Sequence, residues 1–123
     1  MAAVRSENTG PEVAVRKIVH RLGYRYRMHV RSLPGCPDLV FPSRRKVVFV
    51  HGCFWHRHPK CRFATSPKTR KDFWQRKFVS NVGRDRKARR DLKRMDFAVL
   101  TVWTCELKKP DKLTERLNDF LSD

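Results

Sequence analysis

Acidic side chains are scarce in this sequence, which holds 12 aspartate and glutamate residues against 29 lysine and arginine residues. The formal net charge is +17, and because like charges repel in a compact chain, this excess adds nothing to the stability of the fold. Such a charge instead favours a polyanionic partner, and nucleic acid is the expected one. A membrane surface is the weaker alternative.

Long apolar runs are also missing, and nothing approaches the roughly 18 residues of a membrane-spanning helix. The N-terminus is polar and lacks the pattern of a signal peptide. No repeat or low-complexity linker divides the chain, and 123 residues suffice for one core. We therefore expect a cytoplasmic protein without membrane contact, built as a single domain over residues 1–123 with a flexible start over residues 1–8.

Hydrophobic spacing predicts alternating helices and strands. The expected helices cover residues 10–22, 72–82, 84–95 and a last segment that begins at Pro110, and the expected strands cover residues 24–30, 38–41, 46–51 and 98–103. The last two strands are expected to be buried, whereas residues 52–70 show no periodicity. This order predicts an α/β fold in which helices flank a mixed central β-sheet.

A histidine- and cysteine-rich stretch, His51 to Cys61, follows the strand 46–51. In a reducing compartment, cysteines are metal ligands or free thiols more often than disulfides, and structural zinc takes four Cys or His ligands. Five candidates compete for four places: Cys53, His56, His58, Cys61 and Cys105. Zinc bound there would hold residues 52–70, and the spare histidine would serve as an acid, a base or a water-orienting group.

Two acidic residues are candidates for a second metal site. Asp38 begins a strand, and a strand-borne carboxylate can hold Mg²⁺, which activates water and stabilises phosphoryl oxygens. The alternative for Asp38 is a turn or strand-start residue. Glu12 is spaced from Thr9 as a capping box, and this structural role does not exclude a second role in a site.

Aromatic and basic residues predict a surface for nucleic acid. Phe54 and Trp55 either pack in the ordinary way or stack on, or wedge between, bases. Trp74, Lys77 and Asn81 share one helix face by their spacing. The basic run beyond them either contacts phosphates, with affinity that falls as salt rises, or is a solvated helix face. Its members are Arg84, Arg86, Lys87, Arg89, Arg90, Lys93 and Arg94.

Several segments together resemble the very short patch repair (Vsr) DNA mismatch endonucleases. They are LPGCPDLVF, KVVFVHGCFWH, HGCFWHRHPKC, DFW, NVGRDR and VWTCEL, and the likeness runs over residues 8–109. The resemblance implies a restriction-endonuclease-like fold with a structural zinc site. It also implies Mg²⁺-dependent nicking of one DNA strand on the 5′ side of the thymine in a T:G mismatch, which arises when 5-methylcytosine deaminates. The alternatives are a related nuclease with another DNA target and a non-catalytic, zinc-stabilised DNA-binding module.

The resemblance also assigns site residues. Mg²⁺ would be bound by Asp38 and the backbone carbonyl of Val50, where related nucleases carry an E-x-K motif. His56 would act on the attacking water, His51 would lie near the scissile phosphate, and Glu12 would support the site. The zinc ligands would be Cys53, His58, Cys61 and Cys105, and Cys36 would be a structural thiol.

The remaining assignments concern DNA and partners. Phe54, Trp55 and Trp74 would wedge into the duplex, Lys77 and Asn81 would read the mismatched pair, and Arg84 and Arg86 would bind phosphates. We expect a monomer associated with the bacterial nucleoid. A functional link to a DNA cytosine methyltransferase and to mismatch-repair proteins is also expected.

Overall fold

The computed structural model describes residues 9–122 and contains three α-helices, two short 3-10 helices and four strands within that range. The helices are α1 (Gly10–Leu22), α2 (Lys71–Arg94) and α3 (Pro110–Ser122), and the strands are β1 (Arg27–Met28), β2 (Leu39–Phe41), β3 (Lys46–His51) and β4 (Ala98–Trp103). No helix between residues 9 and 122 is both long enough and apolar enough to cross a membrane. The expectation of a flexible segment over residues 1–8 lies outside the described residues.

The strands form one mixed sheet in the order β1-β2-β3-β4. The first three strands pair antiparallel, and β4 pairs parallel to β3, with His51 opposite Trp103. Helix α2 is the crossover between the two parallel strands. Strands β3 and β4 are therefore neighbours, and their carboxyl ends meet at one edge of the sheet, where open α/β folds place their sites.

Helices cover both faces of the sheet, because neighbouring residues of a strand point to opposite faces. On one face Val48 packs with α1 and α3, and that cluster includes Val15, Val19, Phe41, Leu113 and Leu117. On the other face Val47 and Phe49 pack with α2 through Ala88 and Leu92. The predicted architecture, helices flanking a mixed sheet, is confirmed.

Local sequence signals determine where helix α1 begins and ends. Its Thr9 cap accepts a hydrogen bond from the Glu12 amide, and Gly23 ends the helix in the left-handed conformation at φ 89°. Strand β1, in contrast, is shorter than the predicted strand 24–30, because His29 takes a left-handed φ of 48° and leaves the extended conformation. Strand β4 is less buried than expected, with Val102 as its only fully buried residue.

The prediction of two helices, over residues 72–82 and 84–95, is wrong, since α2 continues through Gly83 without a break. A glycine inside a helix costs about 1 kcal/mol relative to alanine, which does not end a helix that lacks proline. The buried residues Phe78, Ala88 and Leu92 lie on both sides of Gly83 and hold the two halves as one element.

Replacing Gly83 with alanine should therefore stabilise the protein by about 0.5–1 kcal/mol. A Cβ atom at this position would meet no atom within 4 Å, so only the backbone term changes, and denaturant unfolding measures it. Gly35→Ala is the opposite control, because Gly35 has φ +74° and its Cβ would lie 2.7 Å from the Cβ of Ala88. A loss of stability in the Gly83 variant would show that the helix is not regular there.

Candidate active site and metal centre

A cavity of about 930 Å³ lies at the edge of the sheet where β3 ends and β2 begins. It receives side chains from α1, from the residue before β2, from the end of β3, from the loop that follows and from α2. These are Glu12, Asp38, His51, His56 and Asp85, with His29 and Val50 beside them. The structure thus brings together the four predicted catalytic residues and the predicted metal-binding backbone.

Asp38 is fixed by the end of β3. Its Oδ2 accepts a hydrogen bond of 2.6 Å from the Val50 amide. Burial raises the pKa of Asp38 to about 6 against the opposing effect of that hydrogen bond, and the nearby charge of Glu12 raises it further. A carboxylate that is desolvated in this way and lies beside a second one is a suitable ligand for a cation.

Glu12 faces His29, a residue that the sequence did not single out. The Oε2 of Glu12 lies 2.9 Å from the Nε2 of His29, and both side chains are nearly buried. The His29 backbone N–H donates to the carbonyl of Asp38, so the pairing of β1 with β2 brings the imidazole to the two acids. No sequence pattern marked this residue, because only that strand pairing places it in the site.

A second group joins two histidines to an aspartate. The Nδ1 of His56 lies 2.7 Å from the Oδ2 of Asp85, and the His51 and His56 rings stack with centroids 3.9 Å apart. An ionised carboxylate only accepts hydrogen bonds, so Nδ1 of His56 carries the proton and its Nε2 is left as an acceptor. Burial lowers the pKa of His51 to about 4, and the neighbouring His56 adds to the shift. His51 is therefore neutral at neutral pH.

Asp85 is the second functional candidate that the sequence reasoning missed. It lies in α2 inside the basic run and was read only as part of the NVGRDR segment. A signal was present, because an acid between two arginines in a mostly basic run invites a specific partner. No sequence pattern identifies His56 as that partner.

The thiols and one histidine form a separate cluster. The ligand atoms of Cys53, His58, Cys61 and Cys105 all lie within 4.8 Å of one another. With Zn–S bonds of about 2.3 Å and a Zn–N bond of about 2.0–2.1 Å, a tetrahedron separates sulfur from nitrogen by about 3.6 Å. The Nδ1 of His58 lies 3.6 Å from the Sγ of Cys53 and 3.5 Å from the Sγ of Cys105. The cluster could hold zinc.

Residues around this cluster fix its histidine and its thiols. The ring of His58 stacks on Trp103 with centroids 4.2 Å apart. The hydroxyl of Thr104 donates to the Sγ of Cys53 and accepts from the Cys53 amide. Of the five sequence candidates, the structure places His58 with the thiols and His56 with Asp85.

The irregular residues 52–70 are held by an arginine as well as by the cluster. The guanidinium of Arg57 donates to the carbonyls of Phe54, Ala64 and Thr65 at 2.9–3.3 Å. It also lies 4.0 Å from the ring centre of Phe78 on α2. Arg57 therefore connects both ends of the loop to the helix.

Replacing Arg57 with lysine should loosen this loop, because one ammonium group cannot reproduce the planar fork of donors. We expect a loss of about 1–3 kcal/mol in the free energy of unfolding and faster amide hydrogen exchange at residues 64–65. Arg62→Lys is the matched control, since Arg62 is exposed and lies over Phe63. Equal exchange rates in the two variants would show that the fork does not hold the loop.

The predicted wedge residues pack on one another and remain partly exposed. Phe54 meets Trp74 and Phe78 with ring centroids 5.6 and 5.3 Å apart, and Trp55 meets Trp74 at 5.5 Å. Of these rings only Phe78 is buried. Ordinary packing therefore occurs and leaves these rings partly exposed, and their stacking on bases stays a prediction.

The other predicted DNA contacts lie on α2. The side-chain amide of Asn81 donates to the carbonyl of Trp55 at 3.2 Å and accepts from Arg84, and Lys77 is exposed. An exposed basic groove continues along the helix and is lined by Arg86, Arg89, Arg90, Lys93 and Arg94. Lys87 is paired with Asp91 at 2.7 Å. Cys36, the expected structural thiol, is half-buried and lines the large cavity.

The known proteins that this chain resembles are DNA endonucleases and nicking enzymes. The family model described as DNA mismatch endonuclease Vsr matches residues 1–62. The type II nicking enzyme V.XorIIP of Xanthomonas oryzae pv. oryzae is 50% identical over 121 residues, which cover 98% of this chain and 88% of that protein. The DNA mismatch endonuclease Vsr of Escherichia coli (strain K12) is 38% identical over 126 residues, with coverage of 98% and 80%.

One solved structure shares the fold. The catalytic domain of the homing endonuclease I-Bth0305I superposes with a TM-score of 0.65 and 20% sequence identity, over 92% of this chain and 94% of that domain. This likeness confirms the restriction-endonuclease-like fold that the sequence motifs predicted.

Proposed function

Because the chain belongs to the family of the DNA mismatch endonuclease Vsr, and is therefore a DNA endonuclease, we propose that it nicks one strand on the 5′ side of the thymine in a T:G mismatch with the help of Mg²⁺. The observation that carries the proposal is the convergence of Asp38, the end of β3 and the His56–Asp85 pair on one cavity. Such nicking would begin the repair of deaminated 5-methylcytosine.

The end of β3 and Asp38 offer oxygen ligands to Mg²⁺. The pairing of β2 with β3 ends at Leu39 and Val48, so Val50 lies beyond the ladder and its amide donates to Asp38 instead. The N–H and C=O of one strand residue point to the same side, so the Val50 carbonyl faces the side of Asp38. Mg²⁺ prefers carboxylate, carbonyl and water oxygens, and when bound it stabilises the charge of phosphoryl oxygens.

His56 is positioned to take a proton from the attacking water. Asp85 holds the proton on Nδ1 of His56 and stabilises the imidazolium that forms when Nε2 accepts a second proton. His51, which stays neutral in its buried position, can hydrogen-bond the scissile phosphate without adding a charge. Glu12 supports the site from α1 through His29.

The aromatic surface and α2 provide the contacts with DNA. Inserting Phe54, Trp55 and Trp74 would unstack a base step at a cost of roughly a few kcal/mol, and a mismatched pair opens more easily than a matched one. Lys77 and Asn81 would read the mismatched pair. Phosphate contacts would offset the cost of unstacking, and they come from the exposed cations of α2: Arg84, Arg86, Arg89, Arg90, Lys93 and Arg94.

Zinc would complete the proposed function by fixing the loop that carries the wedge residues Phe54 and Trp55 and the general base His56. Cys53, His58, Cys61 and Cys105 would bind it. Phe54, Trp55 and His56 lie between the first two of these ligands in the chain. We further propose a monomer in the bacterial cytoplasm that associates with the nucleoid, and a functional link to a DNA cytosine methyltransferase and to mismatch-repair proteins.

A strand-nicking assay tests the proposal. Duplexes that differ only in one T:G or T:A pair are incubated with zinc-loaded protein and Mg²⁺, beside a panel of other mismatches and damaged bases. We expect cleavage of the thymine strand of the T:G duplex alone. Equal cleavage of the T:A duplex, or preference for another lesion, would favour a related nuclease with a different target. Binding without any cleavage would favour a non-catalytic module.

A further inference from the structure

The carboxylates of Glu12 and Asp38 share their corner of the cavity with an imidazole. The Nε2 of His29 and carboxylate oxygens of Glu12 and Asp38 all lie within 4.8 Å of one another. Three different elements supply them: α1, the end of β1 and the residue before β2. A nitrogen is thus held beside the oxygen ligands at which the proposed function places a cation.

The spacing of the Glu12 and His29 ligand atoms matches adjacent corners of a metal coordination sphere. Octahedral metal–oxygen distances of about 2.0–2.1 Å place neighbouring ligands about 2.9 Å apart. The Nε2 of His29 lies 2.9 Å from the Oε2 of Glu12. Asp38 accepts the Val50 amide through Oδ2, and its carboxylate keeps further lone pairs for a cation.

The backbone fixes the imidazole in this position. His29 occupies the left-handed region with φ 48°, although it is not glycine, and its amide donates to the carbonyl of Asp38. Its side chain is 12% exposed and that of Glu12 is 7% exposed. The ligand side chains are therefore already arranged before a cation binds, and this preorganisation favours tight binding.

A simple His29–Glu12 ion pair accounts for less of this arrangement. One imidazolium balances one carboxylate, and Asp38 remains as a second, half-buried acid within 4.8 Å of both side chains. A divalent cation would balance both carboxylates and leave the imidazole neutral, as a metal ligand must be.

We propose that His29 is a protein ligand of the cation held at Asp38, so that this site accepts nitrogen-tolerant divalent ions such as Mn²⁺ as well as Mg²⁺. The proposal rests on the proposed function in one respect, the presence of a cation at Asp38. An imidazole ligand raises affinity along the series of transition metals more than affinity for Mg²⁺. A preference for transition metals over Mg²⁺ would therefore distinguish this site from one that is built from oxygen ligands alone.

Electron paramagnetic resonance of Mn²⁺ bound to the zinc-loaded protein tests the ligand directly. Mn²⁺ is a suitable probe because it is paramagnetic and has less affinity than zinc for a thiolate site. We expect nitrogen coupling from an imidazole in the wild-type spectrum and its loss in His29→Gln. We also expect Mn²⁺ affinity to fall by about 10–100-fold in that variant, with a smaller fall for Mg²⁺ measured by competition.

Control variants separate the possible sources of coupling. His20→Gln replaces an exposed histidine of α1 and should keep both the coupling and the affinity. A variant with glutamine at both His51 and His56 should also keep the coupling, and it provides a test in case His29→Gln does not fold.

The proposal is overturned if the wild type shows no nitrogen coupling, if His29→Gln retains it, or if replacement of His51 and His56 removes it. An equal loss of Mg²⁺ and Mn²⁺ affinity, without coupling in the wild type, would identify an ion pair that only positions Glu12. Nitrogen-coupled Mn²⁺ in a protein that nicks no T:G duplex would overturn the proposed function and leave this ligand assignment standing.

Discussion

Replacing Cys105 with alanine should abolish zinc binding and release residues 52–70 while the sheet stays folded. Cys105 follows β4, whereas the other three members of the cluster lie in the loop after β3. Zinc would therefore tie the loop to the neighbouring strand end. Apparent zinc-binding free energies reach about 10–16 kcal/mol in zinc fingers that fold only with metal. Here neither hydrophobic cluster contains a residue of the loop, so we expect local rather than global unfolding.

The same substitution should lower T:G nicking by about 100-fold or more, since a misplacement of about 1 Å at a catalytic group has effects of that size. The loop carries the proposed base, His56, and the rings of Phe54 and Trp55. Metal analysis, hydrogen exchange and the nicking assay report the three effects separately. We expect zinc to be lost, the amides of residues 52–70 to exchange fast, and the strands to stay protected.

Cys36→Ala is the matched control, because Cys36 is the described cysteine that lies outside the cluster. It should retain one zinc ion per chain. Zinc retention by the Cys105 variant, together with unchanged exchange in the loop, would show that Cys105 is not a ligand. Global unfolding would show that the loop supports the whole core.

The parts of the site that the sequence could predict lie next to regular elements. Asp38 precedes β2, and Val50 and His51 end β3, so predicting those strands also located these residues. Cys105 is the second residue after β4, so predicting the strand 98–103 located it as well. In each case a local apolar pattern determined the element, and the site residue lay one or two positions from its end.

The parts that it could not predict depend on tertiary contacts. His29 reaches the site through the pairing of β1 with β2, and Asp85 reaches it because α2 packs on the face of the sheet. The choice between His56 and His58 depends on the path of an irregular loop, which Arg57 and the thiols determine. No periodic pattern describes such a path. A continuous α2 was missed for a related reason, since packing on both sides of Gly83 outweighs its weak helix propensity.

Asp38→Asn should have opposite effects on stability and on activity. Asparagine keeps an oxygen that can accept the Val50 amide, and it removes a buried charge. The pKa of Asp38 is about 6 in the folded protein, against 3.8 for an ordinary aspartate. The folded state therefore binds the proton more tightly than the unfolded state, and ionisation of Asp38 destabilises the fold as pH rises from about 4 to 6.

The variant should consequently be more stable than the wild type by about 1–3 kcal/mol at pH 7, without Mg²⁺ and with zinc retained. This difference should shrink as pH falls and vanish near pH 4. His51 has the opposite sign, because its pKa is lowered to about 4 and stability is lost as pH falls from 6.5 to 4. Since His51 is present in both proteins, subtracting the two unfolding free energies at each pH isolates Asp38.

The nicking rate should change with pH in the direction opposite to the stability contributed by Asp38. At Mg²⁺ concentrations well below saturation, the wild-type rate should rise with pH through about 6, as Asp38 ionises and becomes able to hold the cation. The variant should lose more than about 100-fold at every pH, beyond the usual effect of a group that only supports a metal ligand. Asp119→Asn, at an exposed position of α3, should change neither quantity. A variant that is less stable at pH 7, or that nicks at the wild-type rate, would show that Asp38 is a structural residue. Higher stability with lost activity would show that the buried carboxylate is kept for the cation at the expense of the fold.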